Sequence, residues 1–89
     1  MVLVRFTQNI QRHVACPDVE VEGADVRSVL DAVFAGNPRA RGYVLDEAGQ
    51  LRQHMVVYVD GEPVNDRAGF SDAVGADSKV DVMQALSGG

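Results

Sequence analysis

The residues of this chain that could do chemistry are few, and the most suggestive of them close it. Gly88 and Gly89 follow Leu86 and Ser87, so a free carboxylate sits on a residue with no side chain. Such a group is ionised at neutral pH, with an unperturbed pKa of about 3.3–3.7. As an anion it is a poor electrophile and reacts only after something else activates it. Two glycines ahead of it suit a partner with a narrow active-site channel, because a backbone without Cβ can approach closely and take conformations closed to other residues. The plain alternative is an idle end, since chain termini are commonly poorly ordered and often contain glycine.

The other candidates are weaker. Cys16 is the only cysteine, which excludes an intramolecular disulfide and fits a reducing compartment. A catalytic thiol needs an activating neighbour, and His13, three residues away in a predicted loop, is a poor one, so Cys16 reads as a small buried apolar group. His13 and His54 are the only histidines, too few and too unaccompanied to hold a metal. No glycine-rich loop ending in Lys-Ser or Lys-Thr is present to cradle a nucleotide. No nucleophile, base and oxyanion donor can be assembled, so the chain is not expected to be an enzyme acting alone.

Composition narrows the classes further. Eighty-nine residues make one domain with little room for a deep substrate cavity. Eight basic against thirteen acidic residues leave a net charge of −5, which argues against nucleic acid and suits a partner with a basic surface. The apolar start, Val2-Leu3-Val4, turns polar at Arg5, too short for a signal-peptide core. With no run of about 18 apolar residues to span a bilayer, no membrane association is expected, and a cytoplasmic location follows by default.

The elements that must present the end are readable in order. Val2, Val4 and Phe6 alternate with Leu3 and Arg5 as a period-two strand. Residues 7–16 lack periodicity and read as a turn or irregular connection closed by Pro17. Residues 18–22 form a second strand on Val19 and Val21, and the two make an antiparallel hairpin. Asp25 is a good N-cap for a helix whose Val26, Val29, Leu30, Val33 and Phe34 make one apolar stripe. Gly36 ends it at the C′ position, and Asn37-Pro38 prevents its continuation.

Residues 39–45 hold a further short turn of helix. Residues 51–59 are a third strand, with Met55, Val57 and Val59 on one face and His54, Val56 and Tyr58 on the other. Asp60-Gly61 is a tight-turn signal, and Glu62-Pro63-Val64 runs back from it. Residues 65–75 are a loop anchored by Phe70 and Val74, and residues 79–85 are the last strand with Val80 and Val82 inward. This order suits a mixed sheet of four or five strands with one main helix on a single face, the α+β arrangement of the ubiquitin-like β-grasp. With the usual right-handed crossover, the first and last strands lie side by side in the middle. Residues 1–89 are then one domain, with 86–89 a flexible diglycine tail.

The helix pattern around Val29-Leu30, the Val57-Tyr58-Val59-Asp60-Gly61-Glu62 hairpin, the Gly69-Phe70 loop and the ending from Val80 through Leu86-Ser87-Gly88-Gly89 together resemble the ThiS/MoaD family of sulfur carriers. The likeness covers nearly the whole chain. The longer segment between helix and third strand resembles the carriers of cysteine biosynthesis and related MoaD-like proteins.

The resemblance implies that an E1-like enzyme uses ATP and magnesium to adenylate the Gly89 carboxylate, with Gly88 beside it. A sulfur donor protein then displaces AMP to leave a thiocarboxylate, and the sulfur passes to an acceptor enzyme making molybdopterin, the thiazole of thiamine, cysteine or another product. The chain would bind no cofactor itself; it would be the partner's substrate or the small subunit of a sulfur-transfer complex. Leu86 and Ser87 would line the partner's channel, and Leu3, Val56, Tyr58 and Met83, on the sheet face away from the helix, would form an apolar docking patch. Arg5 and His54 on that face read as solvated. Many members carry proline where Gln84 and its neighbour stand, so Gln84-Ala85 implies a more flexible arm. Two other readings stay open: a modifier joined through Gly89 to lysines of other proteins, and an interaction module whose tail is idle.

Overall fold

The computed structural model describes residues 1–84. In chain order its elements are β1 (Val2–Phe6), α1 (Gln8–Gln11), β2 (Val19–Val21), α2 (Val26–Ala35), α3 (Pro38–Val44), β3 (Met55–Val59), β4 (Glu62–Pro63) and β5 (Lys79–Gln84). The strands form one five-stranded sheet in the order β2-β1-β5-β3-β4. β5 lies at its centre, parallel to β1 (Val4 opposite Val80) and antiparallel to β3 (Val57 opposite Val82). This is the ubiquitin-like β-grasp that the sequence predicts.

Each element forms for a local reason. The Asp25 carboxylate accepts from the Ser28 amide at 2.8 Å, capping α2, whose Val26, Val29, Leu30, Val33 and Phe34 are all buried. Ten residues make a marginal helix in water. Burial decides the matter, since each large apolar side chain taken from water contributes about 1.5–3 kcal/mol. That stripe meets Val2, Val4, Phe6, Val57, Val80 and Val82 from the sheet in a single core cluster. Gly23 admits the close approach of α2 to the sheet edge, since a Cβ there would lie 2.7 Å from Val29 Cγ2. Asn37 starts α3 by accepting from the Ala40 amide, with Pro38 next to it in the first turn, where its missing N–H costs nothing. Between β3 and β4, Asp60 and Gly61 take φ of 51° and 87°, the positive pair that a two-residue hairpin loop requires.

The long loop after β4 is anchored as expected. Phe70 is fully buried and Val74 packs against the core. The Asp66 carboxylate holds the loop's shape by accepting from the Gly69 amide at 2.8 Å and from the Ser71 hydroxyl at 2.7 Å.

Several sequence expectations are corrected. Residues 7–16 are not irregular: they contain α1, which buries Ile10 and is followed by buried Val14 and Cys16. Gly36 caps α2 in a right-handed conformation (φ −91°, ψ −3°), so it is the C-cap and not a left-handed C′ residue. β2 is shorter than residues 18–22. β3 begins at Met55 and not at residue 51, because Leu51 instead bridges Leu45 and His54 turns the chain at φ 73°. Ala85, expected to end the last strand, lies outside the described residues.

Candidate functional site

The site is built around the C-terminal end of β5, because that central strand leads to the Gly88-Gly89 pair. Leu86, Ser87, Gly88 and Gly89 lie outside the described residues, so the geometry to be read is that of the platform beneath them. Gln84 is its last residue. The Asn9 side-chain amide donates to Gln84 Oε1 at 3.1 Å, and the Tyr43 hydroxyl donates to the same oxygen at 2.9 Å. The His13 ring stacks on Tyr43, with centroids 5.6 Å apart and 19° between planes. Two elements distant in sequence from β5, α1 and α3, thus converge on one amide at the strand's exit, with His13 backing Tyr43. The last described residue of β5 is held by a polar clamp.

The other face of the sheet carries the predicted docking residues. By register, Leu3, Arg5, Lys79, Asp81, Met83, Val56 and Tyr58 all point away from the helices. Leu3, Val56, Tyr58 and Met83 are each partly exposed. Val56 stands directly opposite Met83, and Tyr58 opposite Asp81, so these apolar residues adjoin along β3 and β5. Leu3 is set apart from them. The Arg5 guanidinium grips Asp81 through two bonds, 2.6 Å and 3.0 Å, between Leu3 and the Val56–Met83 pair. The hydrogen bond and charge of Asp81 raise the Arg5 pKa above its ordinary value, so Arg5, solvent-exposed as expected, is also an ion-paired cation. His54 is not on this face, since it precedes β3 in the left-handed turn.

Cys16 is buried, and its thiol donates to the Val14 carbonyl at 3.2 Å. Burial, followed by the nearby Asp18 charge, raises its pKa, the opposite of what a nucleophilic thiol requires. No group of three or more His, Cys, Asp or Glu among the described residues could hold a metal ion. No helix among them is long and apolar enough to cross a membrane.

Sequence reading missed Asn9 and Tyr43 as neighbours of the strand's exit. The signal available was faint: a polar residue and a tyrosine, each adjacent to a buried residue on a short helix.

Comparison with known proteins adds the following. The model of the ThiS family matches residues 5–89. No curated protein matches the chain in sequence. Among solved structures, the BexX/CysO complex of Amycolatopsis orientalis contains a chain 24% identical, with TM-score 0.81 and full coverage of both chains. SAMP1, the small archaeal modifier protein 1, of Haloferax volcanii is 25% identical with TM-score 0.78, over 99% of this chain and 98% of that one. CysO of Mycobacterium tuberculosis is 20% identical with TM-score 0.79, over 97% of this chain and 100% of that one.

Proposed function

The chain belongs to the ThiS family, and on that premise we propose that it is a sulfur carrier whose working group is the Gly89 carboxylate. An E1-like enzyme holding ATP and magnesium supplies the activation. The carboxylate oxygen attacks the α-phosphorus, pyrophosphate leaves, and the carbonyl carbon now bears AMP as a good leaving group. A hydrosulfide equivalent from a sulfur donor protein then attacks that carbon, the bond to AMP breaks, and a thiocarboxylate remains for an acceptor enzyme. The cysteine-biosynthesis branch is the pathway proposed, on the segment between α2 and β3, which carries α3.

One observation carries the reading: the family match runs through residue 89, and the strand that leads there, β5, is bonded on both sides. In this reading Leu86 and Ser87 occupy the partner's channel, while Val56, Tyr58 and Met83 dock against its surface and Leu3 contributes from beyond the Arg5–Asp81 pair. The test is to incubate the protein with its adenylating enzyme, ATP, magnesium and a sulfur source, and to read the intact mass. Conversion replaces one oxygen by sulfur and is lost when Gly89 is deleted. An unchanged mass with an enzyme that demonstrably adenylates the protein sinks the proposal.

A second reading draws on the likeness to a protein called a modifier. The same adenylate could be captured by a lysine amine, giving an isopeptide bond. Peptide mapping for lysines that carry the Gly89 end separates the two.

A further inference from the structure

The sheet has two edges, and they are unlike. β4 is two residues long and one of them is Pro63, which has no N–H to offer, so that edge is blunted. β2 pairs with β1 on one side and with no strand on the other among the described residues. Its side chains alternate sharply. Val19 and Val21 face α2, and with Phe6, Ala32, Val33 and Gly36 they line an open groove of about 260 Å³ between the strand and the helix. Asp18, Glu20 and Glu22 are exposed on the opposite side of the strand. Asp18 adjoins Arg5, which is already bound to Asp81, and Glu20 and Glu22 form no ion pair among the described residues.

We propose that the β2 edge and the groove beside it accept an extended segment of another protein, in which apolar residues alternate with lysine or arginine, as a further strand of the sheet. Main-chain bonds to the open edge supply affinity, and the period of two supplies selectivity. One set of side chains enters the groove against Val19, Val21 and Val33, and the other stands across from Asp18, Glu20 and Glu22. Alternative occupants fit less well. A second copy pairing through β2 would set the acidic row against itself, and like charges directly opposite are destabilising. The groove is smaller than the roughly 300–1,000 Å³ usual for small-molecule clefts, and an acidic edge repels nucleic acid. Three paired residues make a short ladder, so the contact is of the transient kind. It is independent of the chemistry at Gly89 and lies along the β2 edge, separated from β5 and Met83 by β1.

The test uses the full chain, isotope-labelled, titrated with a short capped peptide of alternating lysine and valine. Its control is an isomer of the same composition with the valines grouped together. The alternating peptide should shift amides at residues 18–22 and 32–37 and bind at least about tenfold tighter than the isomer, a difference of about 1.4 kcal/mol. Glu20→Lys and Ala32→Phe, the second filling the groove without changing charge, should each weaken binding by about tenfold. Equal binding of the two peptides would reduce the effect to bulk charge and overturn the proposal. Shifts centred on β4 or on Val56 and Met83 of β3 and β5, or self-association through β2 that excludes the peptide, would overturn it as well. The peptide pair decides the matter on the unmodified protein even if a variant fails to fold.

Discussion

The Tyr43 hydroxyl and the Asn9 amide share a single acceptor, Oε1 of Gln84, at 2.9 Å and 3.1 Å. Either donor alone keeps that oxygen paired. Tyr43→Phe and Asn9→Ala should therefore each cost little, at the low end of the about 0.5–1.5 kcal/mol typical of one hydrogen bond. The double variant should cost more than the sum, with a coupling of about 0.5 kcal/mol or more. A double-mutant cycle by urea denaturation checks this, and strict additivity would mean that the two bonds do not act on one group.

Phe70 carries the largest single packing risk. It is fully exposed to the core and to no solvent, with φ at 56°, and Arg27 lies over its ring at 5.3 Å from the centroid. Phe70→Ala should cost about 3–5 kcal/mol, a large share of the roughly 5–15 kcal/mol that holds such a domain folded. The residues from 65 to 75 would lose their anchor, so protection from hydrogen exchange should fall there first. A loss below about 1 kcal/mol would contradict the burial described.

Acid should weaken the fold through two identified carboxylates. The Ser28 amide lowers the Asp25 pKa, and the Gly69 amide, followed by the Ser71 hydroxyl, lowers that of Asp66. A folded pKa below the unfolded one means that the stabilisation is present in full above the ordinary aspartate value, about 3.9. It is lost as pH falls through the lower folded values. Thermal midpoints should drop across that acidic window, and Asp25→Asn or Asp66→Asn should flatten the drop. A slope unchanged in both variants would assign the acid sensitivity to other groups.

Cys16 should be unreactive in the folded protein. Its burial and raised pKa leave little thiolate at neutral pH. Iodoacetamide should label it slowly under native conditions and rapidly in urea, as read by intact mass. Comparable rates in both would show that the segment from Val14 to Cys16 opens easily.

The parts of this molecule that could be read in the sequence are those governed by local spacing. The stripe of α2, the Asp25 cap, the Asp60-Gly61 turn and the alternation of β1, β3 and β5 depend on residues within a few positions of one another, and all appear in the structure. α1 escaped because four residues are too few to display a helical period, and only Ile10 within it is buried. The Arg5–Asp81 pair and the clamp on Gln84 join residues 76, 75 and 41 positions apart, so only the register of the sheet and the docking of α1 and α3 bring them together. The Asp81 partner of the exposed Arg5, and its place between Leu3 and Met83, were therefore not legible in the sequence.

The two-sided bonding of β5 has a mechanical consequence. β1 and β5 run parallel as neighbours, and β3 flanks β5 antiparallel. A pull on the chain beyond Gln84, directed along the strand, loads both ladders in shear, so many bonds must yield together; a strand at the rim could be unzipped one bond at a time. A partner that draws the end into its own interior can therefore tow the whole domain behind it without unravelling it.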